Sequence, residues 1–589
     1  MAILDFHIVD KLRDRMTEGG ERVAMRFYAD NDWHDISWSE FDQHTRALSL
    51  AMLACGLDVQ EKVGIFATNM PRWTICDVAA QQIRVVTVPI YPTSTPNQTK
   101  YITENADVRI LFVSGQQQLD IAISIFNQCE RLERIVIMDE HIEMPDVDFV
   151  LSFNEFISLG TSDYLESLYQ RLNTLNLDDL FTLIYTSGTT GQPKGVMLSH
   201  RNLSAQMTGH DSRLNLTPDD ISLCFLPLSH VFERAWCFYV LYKGATNCYL
   251  HDVKVVREAL QQVSPTVMCA VPRFYEKIYA AVHDKVSHAS WFRKTLFSWA
   301  LSVGERYVSS GKGAWRFRIA DKLVLSKLRA LLGGRLKMMP CGGAKLEPSI
   351  GRFFHALGIN VKVGYGMTET TATVSCWPDS HFDANSIGLA MPDVDIRIGV
   401  NNEILVKGPM VMQGYYKNES DTLAAFDQDG YLKTGDAGYI DEHGQLFITE
   451  RIKELMKTSG GKYIAPQMIE GTLGKDHYIE QIAVIADARQ FVSALIVPCY
   501  DTVEKYAREL NIKYHDRIDL LKHAQIIEMF EKRIHELQLH LAHFEQVKKF
   551  TLLPNAFSLE DGELTPTLKL RRKVIHTRYE GEIKAMYGK

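Results

Sequence analysis

Short runs of aliphatic and β-branched residues alternate with helix-like stretches in the N-terminal part of the chain, and this pattern constrains the fold most. The runs are Val63–Ala67, Val85–Ile90, Ile110–Val113 and Ile135–Met138, and Trp73–Arg84 is typical of an intervening helix. Such alternation is the pattern of a parallel sheet whose strands are joined by crossover helices. No repeat of about 20–50 residues accompanies it, which argues against solenoids and propellers. The sequence therefore predicts an α/β core.

The overall composition is that of a folded protein and gives no sign of a polyanionic macromolecule as partner. Hydrophobic residues make up 46% of the 589 residues and charged residues 23%, close to the averages for globular proteins. The 64 Lys and Arg against 72 Asp and Glu leave a net charge of −8, so we expect no nucleic acid. Any anionic ligand must then be bound by a local group of cations.

The cysteine pattern and the apolar segments indicate a cytoplasmic protein. The ten cysteines are scattered, without a CxxC pair for zinc or a dense disulfide framework, which favours a reducing compartment. The N-terminus lacks the basic-then-apolar pattern of a secretory signal. The most apolar long window, 223–242, is interrupted by His230, Glu233 and Arg234, whereas a spanning helix needs about 20 predominantly apolar residues. We therefore expect no transmembrane helix.

The strongest local motif is the run 183–195, LIYTSGTTGQPKG, in which a strand-like stretch leads into a loop that ends at Lys194. Glycine N–H groups, short hydroxyls and a mobile lysine together suit phosphate oxygens. The run is not a Walker A loop, because Gly188 and Lys194 have the wrong spacing and Gly195 stands where Ser or Thr would bind magnesium. A flexible Gly/Thr surface loop is the alternative without function. The motif indicates a nucleotide-phosphate loop outside the P-loop class.

Two further loops follow strand-like runs. Residues 342–344 read GGA after the strand-like run 336–339, and residues 364–370 read GYGMTET after 360–363. Because α/β proteins place ligands at the carboxyl ends of their strands, three such loops predict an active site at one sheet edge. Tyr365 could stack on a base, and Glu369 is a hard oxygen ligand suited to the magnesium that accompanies ATP. The glycine loop by itself is equally typical of a turn.

Three motifs together resemble the adenylate-forming ligase family, which includes acyl-CoA synthetases, luciferases and the adenylation domains of peptide synthetases. They are YTSGTTGQPKGV, GYGMTET and the later YLKTGDAGYIDEHGQLFITERIKE. The run 429–470, which ends KTSGGKYIAPQMIE, is similar to the signature of long-chain fatty acyl-CoA synthetases. The resemblance covers nearly the whole chain. It implies an α/β fold with a large multi-subdomain N-terminal body and a small mobile α+β C-terminal domain.

The resemblance implies a domain boundary after residue 450. Residues 1–450 would form the ATP- and acyl-binding body, 451–453 the hinge with Lys453 as the hinge residue, and 454–589 the mobile domain. In that domain a candidate hairpin joins Ile482–Ala486 to Phe491–Val497, and charged amphipathic runs extend over 503–545. These elements fit a small α+β domain.

The resemblance also assigns nucleotide-binding roles residue by residue. The β- and γ-phosphates of ATP would be bound by Thr186, Ser187, Gly188, Thr189, Thr190 and Lys194. The adenine would be framed by Gly342, Gly343, Ala344 and Tyr365, with Gly366, Met367 and Thr368 in the same binding set. Thr186 and Glu369 would complete the magnesium site. Asp436 would accept hydrogen bonds from the ribose hydroxyls, and Arg451 would add a second ribose or phosphate contact. A turn aspartate is the alternative for Asp436.

Two residues are candidates for contact with the reacting carboxylate. His230 lies in the apolar stretch LPLSHVFERAW, where a lone histidine is either a satisfied core residue or, by the resemblance, a site residue. Trp236 in the same stretch would gate an acyl tunnel. Lys569, in LTPTLKLRR, resembles the lysine that assists adenylation, although Leu568 replaces the usual glycine before it. Lys573 and a solvated basic face are the alternatives.

Coenzyme A is implied as the acyl acceptor. Gly460 and Gly461 would lie along the path of its pantetheine arm, because a missing Cβ lets a ligand approach the backbone. A tight turn is the alternative for these two glycines.

One segment departs from the acidic average. Between residues 285 and 337 there are twelve Lys or Arg and two acids, interleaved with Trp291, Trp299 and Trp315. Such a pattern is typical of solvated helices whose tryptophans pack inward, or of basic helices on an anionic membrane surface. The sequence leaves both interpretations open, and with them a peripheral contact with the inner face of a membrane.

Taken together, the resemblance implies an AMP-forming long-chain fatty acid–CoA ligase. The substrates would be a fatty acid, ATP with Mg²⁺, and coenzyme A, and an acyl adenylate would be the intermediate. The alternatives are a fatty acyl-AMP ligase that loads a carrier protein, an aryl-acid ligase or luciferase, and a non-catalytic fatty-acid-binding protein. The last requires the loss of key residues, all of which are present. A homodimer is also left open, and chain-length preference cannot be read because tunnel and core residues have the same composition.

Overall fold

The computed structural model describes residues 5–29, 32–186, 192–379, 383–452, 455–460, 462–565 and 569–588. Over these residues the strands in chain order are β1 Val23–Ala29, β2 Asp32–Ser37, β3 Lys62–Phe66, β4 Val86–Ile90, β5 Val108–Val113, β6 Arg134–Ile137, β7 Val150–Ser152, β8 Leu180–Thr186, β9 Lys194–Ser199, β10 Ile221–Cys224, β11 Thr246–Tyr249, β12 Met338–Cys341, β13 Asn360–Tyr365, β14 Ser375–Cys376, β15 Leu389–Ala390, β16 Asp395–Ile398, β17 Glu403–Lys407, β18 Gly414–Tyr415, β19 Leu432–Ile440, β20 Leu446–Arg451, β21 Met456–Lys457, β22 Tyr463–Ile464, β23 Ile479–Ile485, β24 Val492–Pro498 and β25 Val547–Leu552.

The α-helices of the same residues alternate with these strands. In chain order they are α1 Ile8–Gly19, α2 Trp38–Ala54, α3 Pro71–Gln82, α4 Pro96–Asn105, α5 Gln116–Phe126, α6 Phe153–Ser158, α7 Leu165–Asn173, α8 His200–Asp211, α9 Val231–Tyr242, α10 Val256–Val263, α11 Pro272–Ser287, α12 Trp291–Ser310, α13 Ala314–Ala320, α14 Ser326–Arg329, α15 Pro348–Ala356, α16 Glu419–Ala425, α17 Pro466–Leu473, α18 Tyr500–Glu509, α19 Arg517–Lys522, α20 Ala524–Leu537, α21 Arg572–Arg578 and α22 Glu580–Met586.

An eight-stranded sheet carries the alternation that the sequence predicts. Its order is β18-β9-β8-β4-β3-β5-β6-β7, with β8 through β7 parallel and β9 antiparallel to β8. Side chains of neighbouring residues enter different cores: Ile65 and Phe112 lie in one, Phe66 and Val113 in the other. Because α2 and α3 cover one face and α4 and α5 the other, the strands are continuous apolar runs. The four predicted strands and helix α3 are confirmed.

A second sheet is assembled from distant parts of the chain. Strands β10, β11, β1 and β2 lie side by side, as do β12, β13, β14 and β15. Val267 bridges to Ser222 in β10 and to Met338 in β12, so the segment around it joins the two sets. Strands β12 and β13 are parallel. The loops that follow them therefore emerge at the same edge of this sheet, as predicted. The phosphate loop follows β8 of the eight-stranded sheet, so the prediction that all three loops share one sheet edge is wrong.

The C-terminal residues form an α+β unit around a three-stranded sheet. Strand β24 pairs antiparallel with β23 and parallel with β25, which confirms the predicted hairpin. Helices α17 to α20 pack on one face of the sheet, and α21 and α22 pack on the other. Contacts between the unit and the body include a hydrogen bond from Arg273 Nη2 to the carbonyl of Glu480 at 2.6 Å and an ion pair between Lys475 Nζ and Glu347 Oε1 at 3.0 Å.

The apolar window 223–242 lies within the fold of the body. It contains the end of β10 and the whole of α9. Among the described residues no helix is both long enough and apolar enough to cross a bilayer, as the interrupting charges predict. The ten cysteines are all free thiols, in agreement with the absence of a disulfide pattern in the sequence.

Candidate active site

The phosphate loop connects two antiparallel strands. Strand β8 ends at Thr186 and β9 begins at Lys194, and these two residues face each other in the register. Ser187, Gly188, Thr189 and Thr190 lie outside the described residues, so their phosphate contacts stay predictions. A connection between two strands differs from the strand–loop–helix unit of a P-loop, in agreement with the exclusion of a Walker A motif.

Lys194 is held beside this loop by Asp421 and Tyr415. Its Nζ lies 2.7 Å from Asp421 Oδ2 and 5.1 Å from the centre of the Tyr415 ring. The contact is possible because β18, which carries Tyr415, pairs with β9 at Val196. The Lys194 side chain is 29% exposed, so an anionic ligand can still reach its ammonium group.

Glu369 is a buried carboxylate that accepts a hydrogen bond from a neutral hydroxyl. Tyr415 Oη donates to Glu369 Oε1 at 2.9 Å, and Glu369 is 8% exposed. Burial raises the pKa of its carboxyl, while its own backbone N–H, the Tyr415 hydrogen bond and the charges of Arg451 and Lys194 oppose the rise. A carboxylate in this position is stabilised by a bound cation, so Glu369 fits a magnesium ligand.

A single carboxylate is sufficient for this ion. The described residues contain no cluster of three or more His, Cys, Asp and Glu that could hold a metal. Mg²⁺ at nucleotide sites is commonly bound by one or two carboxylates together with substrate phosphates. Glu369, with Thr186 at the end of β8, therefore suits a magnesium ion that arrives with ATP.

Asp436 joins Tyr365 to Arg451. Tyr365 Oη donates to Asp436 Oδ2 at 2.9 Å, and Arg451 Nε donates to Asp436 Oδ1 at 2.7 Å. Asp436 is 3% exposed and Arg451, with a side chain 37% exposed, is the more open of the pair. The three predicted nucleotide-binding residues thus form one hydrogen-bonded set at the end of β13. Each carboxylate oxygen retains a second lone pair for a ligand hydroxyl.

The loop after β13 turns sharply, and Gly366 makes the turn possible. A Cβ at residue 366 would lie 1.8 Å from the carbonyl oxygen of Ala372. Thr371 and Ala372 have φ angles of 50° and 91°, which are uncommon for residues with a Cβ and concentrate at functional loops. The N–H of Met367 donates to Thr370 Oγ1 at 3.0 Å. Met367 and Thr368 therefore lie in a fixed turn directly after Tyr365.

The loop Gly342–Gly343–Ala344 packs against the first turn of α9. Gly343 has a φ of 86°, in the left-handed region that favours glycine. A Cβ on Gly342 would lie 3.2 Å from the Phe232 ring. The loop predicted to frame the adenine thus lies next to the helix that begins after His230.

His230 caps α9 and interacts electrostatically with a lysine from the C-terminal unit. Its Nδ1 accepts the N–H of Phe232 at 3.1 Å. Burial, and after it the charge of Lys569, lowers the pKa of His230 to about 4. The imidazole is therefore neutral near pH 7 and carries its proton on Nε2. Two residues predicted from separate motifs, one on each side of the domain boundary, are brought together.

The backbone of Lys569 is bonded to Thr565. The N–H of Lys569 donates to Thr565 Oγ1 at 3.0 Å, and the N–H of Thr565 donates to the Lys569 carbonyl at 2.8 Å. Leu568, which replaces the usual glycine, lies outside the described residues.

A cavity of about 30 Å³ lies beside the N-terminal half of α9. Its lining includes Leu214, Phe232, Trp236, Cys341, Gly364 and Ala372. Trp236 is anchored in the wall because its Nε1 donates to Ser222 Oγ at 2.9 Å. A space of this size holds about one water molecule, so a long acyl chain can enter only if lining side chains move.

Two polar side chains at this cavity had not been singled out in the sequence. Lys362 on β13 is buried, with Nζ 2.7 Å from Asp379 Oδ1. His210 at the end of α8 has Nε2 3.2 Å from Thr373 Oγ1, and burial lowers its pKa to about 4. A lysine inside the buried run NVKVGY is a detectable signal, whereas nothing local marks His210.

Tyr415 and Asp421 had also not been singled out. Both act on motif residues that are far away in the chain, and the only local signal is a tyrosine pair after Gly414 in the run QGYYKN. A pairing between two-residue strands such as β18 and β9 leaves no periodicity to read.

The coenzyme A path and the hinge are described only in part. Arg451 ends β20, while Lys453 and Gly461 lie outside the described residues. Gly460 is exposed, and a Cβ there would meet nothing within 4 Å. Open space at Gly460 fits the predicted approach of a ligand, and the roles of all three residues stay predictions.

Comparisons with known proteins match both parts of the chain. The family model described as AMP-binding enzyme matches residues 12–416, and that of the AMP-binding enzyme C-terminal domain matches 453–589. The long-chain-fatty-acid–CoA ligase FadD15 of Mycobacterium bovis is 32% identical over 574 residues, covering 95% of this chain and 93% of its own length. The peroxisomal long chain acyl-CoA synthetase 7 of Arabidopsis thaliana is 30% identical over 594 residues, covering 96% and 84%.

Solved structures agree on the fold. The adenylation domain of a carboxylate reductase from Mycobacterium chelonae has a TM-score of 0.77 at 20% identity, covering 99% of this chain and 91% of its own. The anthranilate CoA ligase AuaEII, solved with anthranoyl-AMP, has a TM-score of 0.74 at 18% identity and covers 99% of both chains. The family matches, which extend over both the body and the C-terminal unit, show that this chain belongs to the AMP-binding enzymes, the adenylate-forming family that its motifs resemble.

Proposed function

We propose that the protein is a long-chain fatty acid–CoA ligase, which converts a fatty acid, ATP and coenzyme A to acyl-CoA, AMP and pyrophosphate. The observation that carries the proposal is that the motif residues fall into two groups. Lys194, Glu369 and the Asp436–Arg451 pair form one, and Lys569 with His230, beside an apolar cavity, form the other. Several relatives that are 29% to 32% identical to this chain are named long-chain fatty acid–CoA ligases.

In the first half-reaction a carboxylate oxygen of the fatty acid attacks the α-phosphorus of ATP. The new O–P bond replaces the bond to the β-phosphate, and pyrophosphate leaves with that electron pair. A carboxylate is already ionised near pH 7, so catalysis depends on positioning and charge neutralisation rather than on a general base. The product is an acyl adenylate, whose carbonyl carbon has phosphate as its leaving group.

The nucleotide would lie between the loops that follow β8, β12 and β13. Asp436 would accept the ribose hydroxyls on its remaining lone pairs, and Arg451 would keep that carboxylate oriented. Tyr365, with Gly342, Gly343 and Ala344, would surround the adenine. Lys194 and the loop between β8 and β9 would contact the β- and γ-phosphates.

Glu369 and Thr186 would hold Mg²⁺ together with phosphate oxygens. The bound ion would neutralise part of the charge on the phosphates. Tyr415 orients Glu369 through its 2.9 Å hydrogen bond. Burial of Glu369 makes ionisation of its carboxyl more dependent on a nearby cation.

Lys569 and His230 would bind the reacting carboxylate. The neutral His230 offers its Nε2–H as a donor, and Lys569 supplies a positive charge close to it. Lys569 would also lie near the bridging oxygen of the departing pyrophosphate, where negative charge develops, and a cation preorganised there contributes about 10²–10³ in rate. Because Lys569 belongs to the C-terminal unit, adenylation requires the arrangement in which that unit lies against the body.

In the second half-reaction the thiol of coenzyme A attacks the adenylate carbonyl. The C–S bond forms, the thiol proton is lost, and AMP leaves with the electron pair of the C–O bond. Different protein groups are needed over the same carbon, so we propose that residues 451–453 are a hinge about which 454–589 rotates. Gly460 and Gly461 would then face the pantetheine arm.

A coupled assay of AMP release tests the function. The purified protein is given ATP, Mg²⁺ and saturated fatty acids of graded length, with coenzyme A present or omitted. Release of AMP that needs both coenzyme A and a long fatty acid supports the proposal. Release of pyrophosphate with accumulation of acyl adenylate, and no stimulation of AMP release by coenzyme A, would instead indicate a ligase that serves a carrier protein. No consumption of ATP would indicate a binding protein.

A further inference from the structure

The segment 285–337 is the cationic part of an otherwise acidic molecule. It contains twelve Lys or Arg and two acids, Glu305 and Asp321, in a chain whose net charge is −8. Asp321 Oδ1 forms an ion pair with Arg329 Nη1 at 2.7 Å, and Lys337 Nζ forms one with Asp220 Oδ1 at 2.9 Å. The acids of the segment therefore do little to neutralise its remaining cations.

Eight of these cations extend into solvent. None of them makes an ion pair within the described part of the chain, and all are exposed: Lys285, Arg293, Lys294, Arg316, Arg318, Lys322, Lys327 and Arg335. They are spread over α11 to α14 and the turn that follows. This concentration of unneutralised charge would attract an anionic surface.

Large apolar side chains lie exposed among the same cations. Trp291 is 78% exposed, Phe292 65% and Trp315 63%. Trp299, Ile319 and Leu323 are between 38% and 45% exposed. The interpretation that all three tryptophans pack inward is therefore wrong, most clearly for Trp291 and Trp315. Exposed aromatic side chains of this size in one segment usually mark a binding surface.

The exposed side chains follow the helix period. Phe292 and Trp299 are seven residues apart on α12, and Trp315 and Ile319 are four apart on α13, so each pair lies on one helix face. Helix α12 packs on the body through its opposite face: Phe297 and Ala300 are buried, and a Cβ at Gly304 would lie 2.2 Å from the carbonyl oxygen of Ala356.

Helices α12 and α13 are held together, so the two exposed faces belong to one rigid unit. The Tyr307 and Phe317 rings are stacked at 4.5 Å, and α13 follows α12 after the glycine-containing turn 311–313. We name the exposed face of residues 285–331 the basic-aromatic surface.

We propose that the basic-aromatic surface docks the protein on an anionic lipid bilayer. Lys and Arg are attracted to anionic headgroups, and interfacial Trp and Phe side chains enter the boundary between headgroups and acyl chains. Charge complementarity decides the occupant: a second copy of this chain would bring the same cations into contact with each other. The Trp315 ring already faces its own Arg316 guanidinium at 5.1 Å, which favours a lipid interface over the stacking of nucleic acid bases.

Cosedimentation with vesicles tests the proposal. The full-length protein is mixed with phosphatidylcholine vesicles, with or without about 30% phosphatidylglycerol, at about 20 mM and about 500 mM salt. We expect binding to the anionic vesicles at low salt, little binding to neutral ones, and a large loss at high salt. No binding to anionic vesicles at low salt would overturn the proposal.

Matched charge variants locate the surface. The triple variant Arg316→Glu, Arg318→Glu, Lys322→Glu should bind anionic vesicles at least about 100-fold more weakly. The control Lys513→Glu, Lys522→Glu, Lys532→Glu makes the same charge change at exposed sites of the C-terminal unit and should bind within about threefold of wild type. Equal weakening in both triples would show a non-specific charge effect and contradict the proposal.

Matched apolar variants separate insertion from attraction. Trp291→Ser with Trp315→Ser should weaken binding about tenfold or more and lose the blue shift of tryptophan fluorescence on vesicle addition. The control Val400→Ser with Leu539→Ser removes side chains that are 85% and 66% exposed and should bind normally. Unchanged melting temperature and unchanged AMP release without vesicles show that each variant is folded. A wild-type dimer that these tryptophan changes dissociate, without any vesicle binding, would assign the surface to self-association and overturn the proposal.

Discussion

Arg451 Nε donates to Asp436 Oδ1 at 2.7 Å across the antiparallel pair β19 and β20, where the two residues face each other in the register. Arg451 is the last residue of β20 and the first residue of the proposed hinge, 451–453. The ion pair therefore couples the proposed ribose site to the start of the moving segment. A rotation about residues 451–453 begins at a residue that the nucleotide-binding carboxylate holds.

Asp436→Asn should weaken ATP binding. The amide keeps one carbonyl acceptor but loses the charge that pairs with Arg451 and one acceptor for a ribose hydroxyl. Hydrogen bonds to charged groups contribute about 1.5–3 kcal/mol, so the KM for ATP in pyrophosphate exchange should rise roughly 10–100-fold. Tyr365→Phe removes only one donor to Asp436 and serves as the control. It should raise the KM for ATP less than about tenfold. An unchanged KM for ATP in the asparagine variant would exclude the ribose role.

Glu369→Gln should raise the magnesium requirement. The amide retains an acceptor for Tyr415 but has no charge to bind the ion, so titration of activity with Mg²⁺ should show a half-saturation at least about tenfold higher. Tyr415→Phe removes the 2.9 Å hydrogen bond and keeps the carboxylate, so its Mg²⁺ curve should move much less. Coincident curves for wild type and the glutamine variant would refute the metal-binding role.

Lys569→Ala should separate the two half-reactions. Adenylation, measured by pyrophosphate exchange, should fall about 10²–10³-fold because a preorganised cation is lost. Thioester formation from preformed acyl adenylate should persist, because the proposed rotation of the C-terminal unit would carry Lys569 away from the adenylate before that step. Lys573→Ala serves as the control for the alternative lysine. Equal loss in both half-reactions would contradict the assignment of Lys569.

Trp236→Phe should shift the chain-length preference towards longer fatty acids. The smaller ring enlarges the cavity next to Cys341 and also breaks the hydrogen bond to Ser222. Ser222→Ala breaks the same hydrogen bond without enlarging the cavity, so it should keep the wild-type preference. The measurement is kcat/KM across a series of fatty acids, and identical profiles for all three proteins would show that the cavity does not receive the acyl chain.

Stability should decrease as the pH falls from about 6.5 towards 4. Burial is the leading cause that lowers the pKa of four histidines to about 4: His7, His210, His230 and His355. In this window the unfolded chain binds protons at these sites and the folded chain does not. The free energy of unfolding should then fall by at most about 1.4 kcal/mol per pH unit for each histidine.

Denaturant unfolding at several pH values measures this slope. His210→Gln keeps a polar side chain near Gln206 and Thr373 but removes one proton-binding site. The free energy of unfolding of this variant should fall less steeply as the pH decreases from about 6.5 to about 4. The slope should decrease by at most the contribution of one proton, about 1.4 kcal/mol per pH unit. A slope equal to that of the wild type would show that His210 does not contribute.

The parallel sheet could be predicted from sequence because its strands are buried on both faces. Val63–Ala67 and Ile110–Val113 read as unbroken apolar runs, and such runs are distinctive. The site loops could be predicted because Gly366 and Lys194 belong to motifs that are contiguous in the chain. The loops after β12 and β13 share an edge because those strands are parallel, whereas the phosphate loop belongs to the other sheet and its position relative to them could not be predicted.

The partners of those motif residues could not be predicted. Tyr415 reaches Glu369 only because the two-residue strand β18 pairs with β9, and no local pattern encodes that pairing. The cavity beside Trp236 combines residues from α8, α9, β12 and β13, whose apolar lining has the composition of a core. The outward direction of Trp291 and Trp315 depends on which face of α12 and α13 meets the body. The domain bounds, the hinge residue and the homodimer stay predictions.

Asp421 gives the proposed phosphate site a resident anion. With the carboxylate 2.7 Å from Lys194, an arriving polyphosphate must exchange one ion pair for another, so the gain in free energy is only the difference between them. The same exchange runs in reverse when pyrophosphate departs, since Asp421 can again neutralise the lysine. An internal competitor of this kind lowers the affinity for the substrate and for the first product alike, and so shortens the time for which pyrophosphate is retained.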